Sequence, residues 1–198
     1  VNQVIVKKAV DVQHPVLISA IIVGNVDMVR LLLENGANPT AERIFSNGSC
    51  YSALGDSIDQ WPNEEVTKML IDAGADVNHY EVYIDREVRY PVIMAAIMNG
   101  NTNAVRLMLE KGADPNLERI FNNGNRYNML RECIEQWPND EIARLLIDAG
   151  VYINYINIGT KAIYPVIISA IIKGNIEMVR LLLDKGADPN SERKFKIA

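Results

Sequence analysis

Apolar residues in this chain gather in short runs that come in pairs. Val16 to Val23 is almost wholly apolar, Gly24-Asn25 interrupts it, and a second apolar run closes at Leu33. Both runs carry helical spacing, and each is too short to be a stable helix alone. Asn25 suits the N-cap of the second helix, with Asp27 in its first turn near the positive end. Gly36 follows the last apolar residues, where a left-handed residue commonly ends a helix. The pattern predicts helix, tight turn, helix, then an excursion to the next unit.

The pair is written five times. A small residue followed by isoleucine recurs at Ala20-Ile21, Ser57-Ile58, Ala96-Ile97, Cys133-Ile134 and Ala170-Ile171, in steps of 37, 39, 37 and 37 residues. A fixed period of this length marks a stacked repeat architecture, in which no unit buries its apolar face alone. The small residue has a physical reason, because first helices of neighbouring units lie side by side. Copies one, three and five join their helices through Gly-Asn, at Gly24-Asn25, Gly100-Asn101 and Gly174-Asn175. Copies two and four instead use Gln60-Trp61-Pro62-Asn63 and Gln136-Trp137-Pro138-Asn139, followed by acidic residues that suit a helix start. The duplicated unit is thus a pair of copies: Pro15, Pro91 and Pro165 stand 76 and 74 residues apart.

Between the pairs, Asn47-Gly48 and Asn123-Gly124 lie among β-forming residues and signal hairpin turns. Residues 77–90, VNHYEVYIDREVRY, alternate as strands do. These segments predict projecting β-hairpin fingers. Val1 to Val6 matches Val77 to Val82 in frame, and Pro189 to Phe195 matches Pro115 to Phe121. The chain therefore starts and stops inside its own pattern, as expected for part of a longer array, since solenoids normally end in polar caps.

The phrase LLLENGAN at 31–38 returns as MLIDAGAD, LMLEKGAD, LLIDAGVY and LLLDKGAD at 69–76, 107–114, 145–152 and 181–188. Together with Ala-Ile in the first helix, it resembles the ankyrin repeat over nearly the whole chain. The resemblance implies an all-α repeat solenoid, an ankyrin-like stack of helix-turn-helix units with protruding β-hairpin fingers. One repeat domain would span 1–198, with a partial finger at 1–13 and copies at about 14–50, 51–89, 90–126, 127–163 and 164–198. The family's opening Thr-Pro-Leu-His is replaced by Pro15-Val16-Leu17-Ile18, Pro91-Val92-Ile93-Met94 and Pro165-Val166-Ile167-Ile168. The Thr/His network between repeats is therefore not expected.

Composition narrows the function without naming it. The net charge of −5 argues against a nucleic-acid surface, which draws its affinity from Lys/Arg excess. No apolar run approaches the roughly 20 residues that a membrane-spanning helix needs. Cys50 and Cys133 show neither metal spacing nor a disulfide framework. Cys133, at the small-residue position, reads as a packed thiol, and the compartment as intracellular and reducing, a setting that includes delivery into a host cell as an effector. The isolated His14 and His79 and the lack of any catalytic motif predict a non-enzyme with no cofactor and no metal.

Candidate partner-binding residues come from two sources. Tyr51, Tyr90, Tyr127 and Tyr164 precede first helices; the resemblance places them at finger bases facing a concave groove, whereas their regularity points first to scaffold packing. Positions where copies differ are the second source: Asp59, Gln60, Met98, Asn99, Glu135, Gln136 and Lys173 at the ends of first helices. Arg89 and Arg126 come from the fingers, which also carry Arg43, Arg86 and Arg119. Acidic first helices (Asp56 and Asp59, Glu132 and Glu135) under basic fingers suit a protein or extended-peptide partner, with charge governing specificity. Trp61 and Trp137 read as cover for the edge of the stack. Arg30, Lys68, Arg106, Arg144 and Arg180 read as exposed i,i+4 partners of Glu34, Asp72, Glu110, Asp148 and Asp184. The expected function is a protein–protein interaction module. The alternative is a recognition or autoinhibitory segment of a multidomain enzyme, such as a bacterial effector, whose catalytic part lies elsewhere. Uncapped ends would favour end-to-end self-association.

Overall fold

A computed structural model describes residues 12–13, 15–158 and 162–195. The expectations for Val1 to Val6 and for His14 lie outside the described residues. Five helix pairs follow one another: α1 (Val16–Val23) with α2 (Val26–Glu34), α3 (Ala53–Ile58) with α4 (Glu64–Asp72), and α5 (Ile93–Met98) with α6 (Thr102–Glu110). Then come α7 (Met129–Glu135) with α8 (Asp140–Asp148) and α9 (Val166–Ile172) with α10 (Ile176–Asp184). Every second helix is capped as its sequence demands. Asn25, Asn63, Asn101, Asn139 and Asn175 each accept a hydrogen bond from the backbone N–H three residues on. Gly36 is left-handed at φ 84°, ending the first pair.

First helices pack on first helices, α1 on α3, α3 on α5 and α7 on α9, while α2, α4, α6 and α8 form the second layer. The residues that permit this approach, Ala20, Ser57, Ala96, Cys133 and Ala170, are all buried. Ser57 resolves its hydroxyl locally, within 2.8 Å of the Leu54 carbonyl and 2.9 Å of Thr67 Oγ1. One continuous apolar core runs through the stack.

The fingers pair into a sheet as well as projecting. Strands β1 (Val12–Gln13), β2 (Glu42–Phe45), β3 (Cys50–Ser52), β4 (Tyr80–Tyr83) and β5 (Val88–Pro91) lead into β6 (Glu118–Phe121), β7 (Arg126–Asn128), β8 (Ile156–Ile158), β9 (Ala162–Pro165) and β10 (Lys194–Phe195). Among the described residues they form one antiparallel sheet of ten strands in sequence order. The expected "all-α" class is therefore corrected to helices plus a continuous sheet. Spacing explains it: two strands at about 4.8 Å rise by about the same distance as one helix-to-helix step of 8–10 Å. Fingers and helices then stay in register along the stack. The Asn-Gly turns behave as read: Phe45 N–H bonds the Ser49 carbonyl at 2.9 Å, and Gly48 takes φ 86°.

Neighbouring units are tied by asparagine. Asn78 accepts from the Asp114 N–H at 2.8 Å and donates to the Gly112 carbonyl at 3.2 Å; Asn154 does the same to Asp188 and Gly186. These clasps tie successive units without the Thr/His network. The i,i+4 reading is corrected too. Arg30 pairs with Asp27 and with Glu65 of the next unit, Arg106 with Glu141, Asp72 with Lys111, and Asp148 with Lys185. Apart from Arg30 with Asp27, one turn away on α2, these pairs reach across to a neighbouring unit.

Candidate partner-binding face

The finger bases meet the first helices through an arginine clamp that is built twice. Arg43 on β2 reaches down to Asp56 on α3, Nη2 to Oδ1 at 2.7 Å and Nε to Oδ2 at 3.1 Å. Asp56 is 0 % exposed, and the guanidinium lies over the rings of Phe45, Tyr51 and Trp61. In the next unit Arg119 on β6 bonds Glu132 on α7 at 2.9 Å and lies over Phe121 and Trp137. Finger arginine, helix acid and Trp-Pro joint thus form one device. It joins copy one to copy two and copy three to copy four, in step with the duplicated pair.

The two versions differ in how they fill the space beside the clamp. In the first unit Tyr83 stacks between Tyr51 and Tyr90, with centroids 4.5 and 4.8 Å apart. In the second, Arg131 fills that role, its guanidinium 3.9 Å from the Tyr127 ring centroid and 6.0 Å from that of Tyr164. Arg131 also pairs with Glu132 at 2.7 Å and Glu135 at 2.6 Å, and Tyr164 donates to Glu135 at 3.1 Å. Gly55 holds the position of Arg131 in the first unit, where the Glu81 carboxyl lies against it. Glu81 is buried and accepts from Ser52 N–H at 3.1 Å and from Ser52 Oγ at 2.5 Å. Burial pushes its pKa up to about 8, aided by Asp56 and Glu42, and the Ser52 bonds only moderate the rise. With no second arginine beside it, this carboxyl is held largely neutral near pH 7.

The expected site residues therefore divide. Tyr90 is 1 % exposed, and burial raises its hydroxyl pKa to about 12; it packs beneath Tyr83 and is withdrawn from any partner. Glu135 is closed off by Arg131 and Tyr164. Asp56, Glu132, Arg43 and Arg119 neutralise one another inside, so the acidic helices under basic fingers are mostly an internal circuit. Tyr51, Tyr127 and Tyr164 are half-buried. Along the ends of the first helices, Asp59 and Met98 are partly exposed, while Gln60, Asn99, Gln136 and Lys173 are exposed. Asn99 crosses between units to the Ile58 carbonyl at 3.0 Å. On the fingers Arg89 is exposed against the Tyr80 ring, and Arg126 pairs with Glu118 at 3.3 Å.

Spacing concealed one further grouping. Glu42, Cys50 and His79 bring ligand atoms within 4.8 Å of one another. Glu81, Tyr83, Arg131 and this trio are the residues that reading by repeated letters misses. The signal that finds them is disagreement between units 76 residues apart: Cys50 against Arg126, Gly55 against Arg131, His79 against Tyr155.

Comparison with known proteins bears on the same scaffold. The family model of ankyrin repeats in three copies matches residues 60–157, and the single ankyrin repeat matches 14–43 and 165–194. The chain belongs to the ankyrin-repeat family. Among curated ankyrin relatives, the putative ankyrin repeat protein FPV219 of fowlpox virus is 29 % identical over 177 residues, covering 76 % of this chain and 38 % of that protein. FPV014 of the same virus is 32 % identical over 137 residues, 69 % of this chain and 28 % of that one. Human transient receptor potential cation channel subfamily A member 1 is 26 % identical over 171 residues, 82 % of this chain and 14 % of the channel. The chain thus spans well under half the length of these relatives. The crystal structure of the Bcl-3 ankyrin repeat domain superposes with a TM-score of 0.69 at 22 % identity, covering 89 % of this chain and 72 % of that one. That likeness speaks to the fold alone. Ankyrin repeats are in general non-catalytic modules of protein–protein interaction. No helix among the described residues is long and apolar enough to cross a membrane.

Proposed function

We propose that the ankyrin stack binds another protein, as an extended segment lying along the ends of the first helices beneath the fingers. One observation carries this reading. The side chains that differ between copies, Asp59 and Gln60, Met98 and Asn99, Gln136, and Lys173, keep exposure at successive helix ends, while most of the repeated ones are spent on the core. Half-buried Tyr51, Tyr127 and Tyr164 and the exposed Arg89 would border that track, and amphipathic rings with a rigid backing suit an interface. With Arg43, Asp56, Glu132 and Glu135 paired internally, Asp59, which accepts from Gln60 at 2.7 Å, is the acidic group that keeps exposure among these helix-end candidates. Protein is favoured over nucleic acid because the net charge is −5.

The relatives' greater length supports a companion reading, in which this stack is the recognition or autoinhibitory part of a larger protein and the same face engages the rest of it. The experiment begins with capture of partners from the native host. Asp59→Lys is then expected to weaken the captured complex about tenfold or more, the factor that 1.4 kcal/mol represents, with an unchanged melting temperature. Unaltered binding by both Asp59→Lys and Lys173→Glu would remove the helix ends as the contact surface. Glu135→Lys is not an equivalent probe, because it breaks the Arg131 contact and unsettles the fold.

A further inference from the structure

We propose that Glu42, Cys50 and His79 bind a zinc ion that clips the first complete finger to the segment opening the next one. Glu42 lies on β2, Cys50 on β3, and His79 just ahead of β4, so the three residues span two neighbouring copies. Cys50 Sγ is 3.1 Å from Glu42 Oε2, and His79 Nδ1 is 3.6 Å from Glu42 Oε1. Tetrahedral zinc holds S, N and O donors at about 2.0–2.3 Å, which sets roughly 3.3–3.7 Å between donors. The two separations from Glu42, each to a different carboxylate oxygen, are close to that spacing, and all three ligand atoms lie within 4.8 Å of one another, so side-chain rotation would draw the set together.

The histidine supplies a second, independent observation. Its Nδ1 stands beyond hydrogen-bond length from Glu42, and its Nε2 is buried with no hydrogen-bond partner among the described residues. An imidazole with a buried, unpartnered Nε2 and only a loose 3.6 Å contact at Nδ1 is unusual in a satisfied core, and its ring is free to turn toward an ion. One thiolate, one imidazole and one carboxylate suit zinc, whereas calcium and magnesium demand oxygen donors. The partly exposed Glu42 leaves a route for the ion and room for water as a fourth ligand. On binding, the Cys50 S–H bond is exchanged for an S–Zn bond and the proton leaves to solvent.

The duplication supplies a control within the same chain. Glu118 stands where Glu42 does, but Arg126 replaces Cys50 and Tyr155 replaces His79. There the carboxylate is neutralised by Arg126 at 3.3 Å. The same pocket of the fold is thus served by an internal cation in one unit and, we infer, by a bound one in the other.

The test uses the full chain, reduced and stripped with chelator, then titrated with Zn²⁺ by calorimetry and with Co²⁺ by absorption. One equivalent is expected, with a thiolate-to-cobalt charge-transfer band and a higher melting temperature in zinc. Cys50→Arg with His79→Tyr imports the other unit's residues, so the fold is expected to survive. Zinc affinity should fall at least about tenfold, since losing a mere supporting contact already costs about 10–100-fold. Arg126→Cys with Tyr155→His should raise the stoichiometry to two, and Cys133→Ser should change nothing. Absence of binding by the parent chain would overturn the proposal. So would affinity unchanged in the first double variant, which would place the ion elsewhere, or a stoichiometry that stays at one in the second.

Discussion

Replacing Arg43 with methionine tests the clamp that joins finger to helix. The methionine stem would keep packing over Phe45, Tyr51 and Trp61, so the change isolates the charge. It takes from Asp56, which is 0 % exposed, the charged bonds of 2.7 and 3.1 Å. Removing one partner of a buried ion pair costs about 3–5 kcal/mol, because the remaining charge has no solvent to turn to. The converse change, Asp56→Asn, should cost less, about 1–3 kcal/mol. Asparagine still accepts one N–H bond, and Arg43, with 11 % of its side chain at the surface, can turn outward. Arg43→Met with Asp56→Leu should recover most of the loss, since an apolar pair of similar volume is often neutral or better. Urea unfolding followed by far-ultraviolet circular dichroism gives the four free energies, with the slope checked for each variant. A cost below about 1 kcal/mol for Arg43→Met, the range of a surface pair, would refute the reasoning. So would a smaller cost than that of Asp56→Asn.

The remaining predictions address a buried acid and the two ends. Glu81 has a folded pKa of about 8, above the ordinary 4.5, so the fold prefers its neutral form. Its contribution is fully present below about pH 4.5 and is lost as pH rises toward 8. Glu81→Gln, measured in chelator, should therefore flatten stability between those values and melt above the parent chain at about pH 9; an unchanged pH profile would remove Glu81 as the cause. At the ends, Val16 is 67 % and Ile171 55 % exposed, whereas Val92 and Ile97 at the same positions of the third copy are 0 % exposed. These faces should drive end-to-end association, visible in sedimentation as mass rising with concentration and abolished by Ile171→Glu. A monomer at all concentrations would contradict it.

The sequence by itself determined the repeat, the helix pairs and the caps, because each rests on short-range periodicity and on side chains that bond their own backbone. It also placed the finger turns, since Asn-Gly is read locally. Exposure was not legible. Asp56, Glu132 and Tyr90 carry the same letters whether they face solvent or core, and only the step between stacked units sent them inward. The joining of fingers into one sheet likewise arises from a coincidence of strand and helix spacings that no single repeat contains. Partnerships across copies, such as Arg43 with Asp56, Arg131 between Tyr127 and Tyr164, and Glu42 with Cys50 and His79, were decided by the tertiary structure alone. They join residues that repeat reading files in separate copies, or in the same copy at positions with no common period. Physically, the backbone pattern specifies the stack, and the stack then decides which charges must find each other once water is gone.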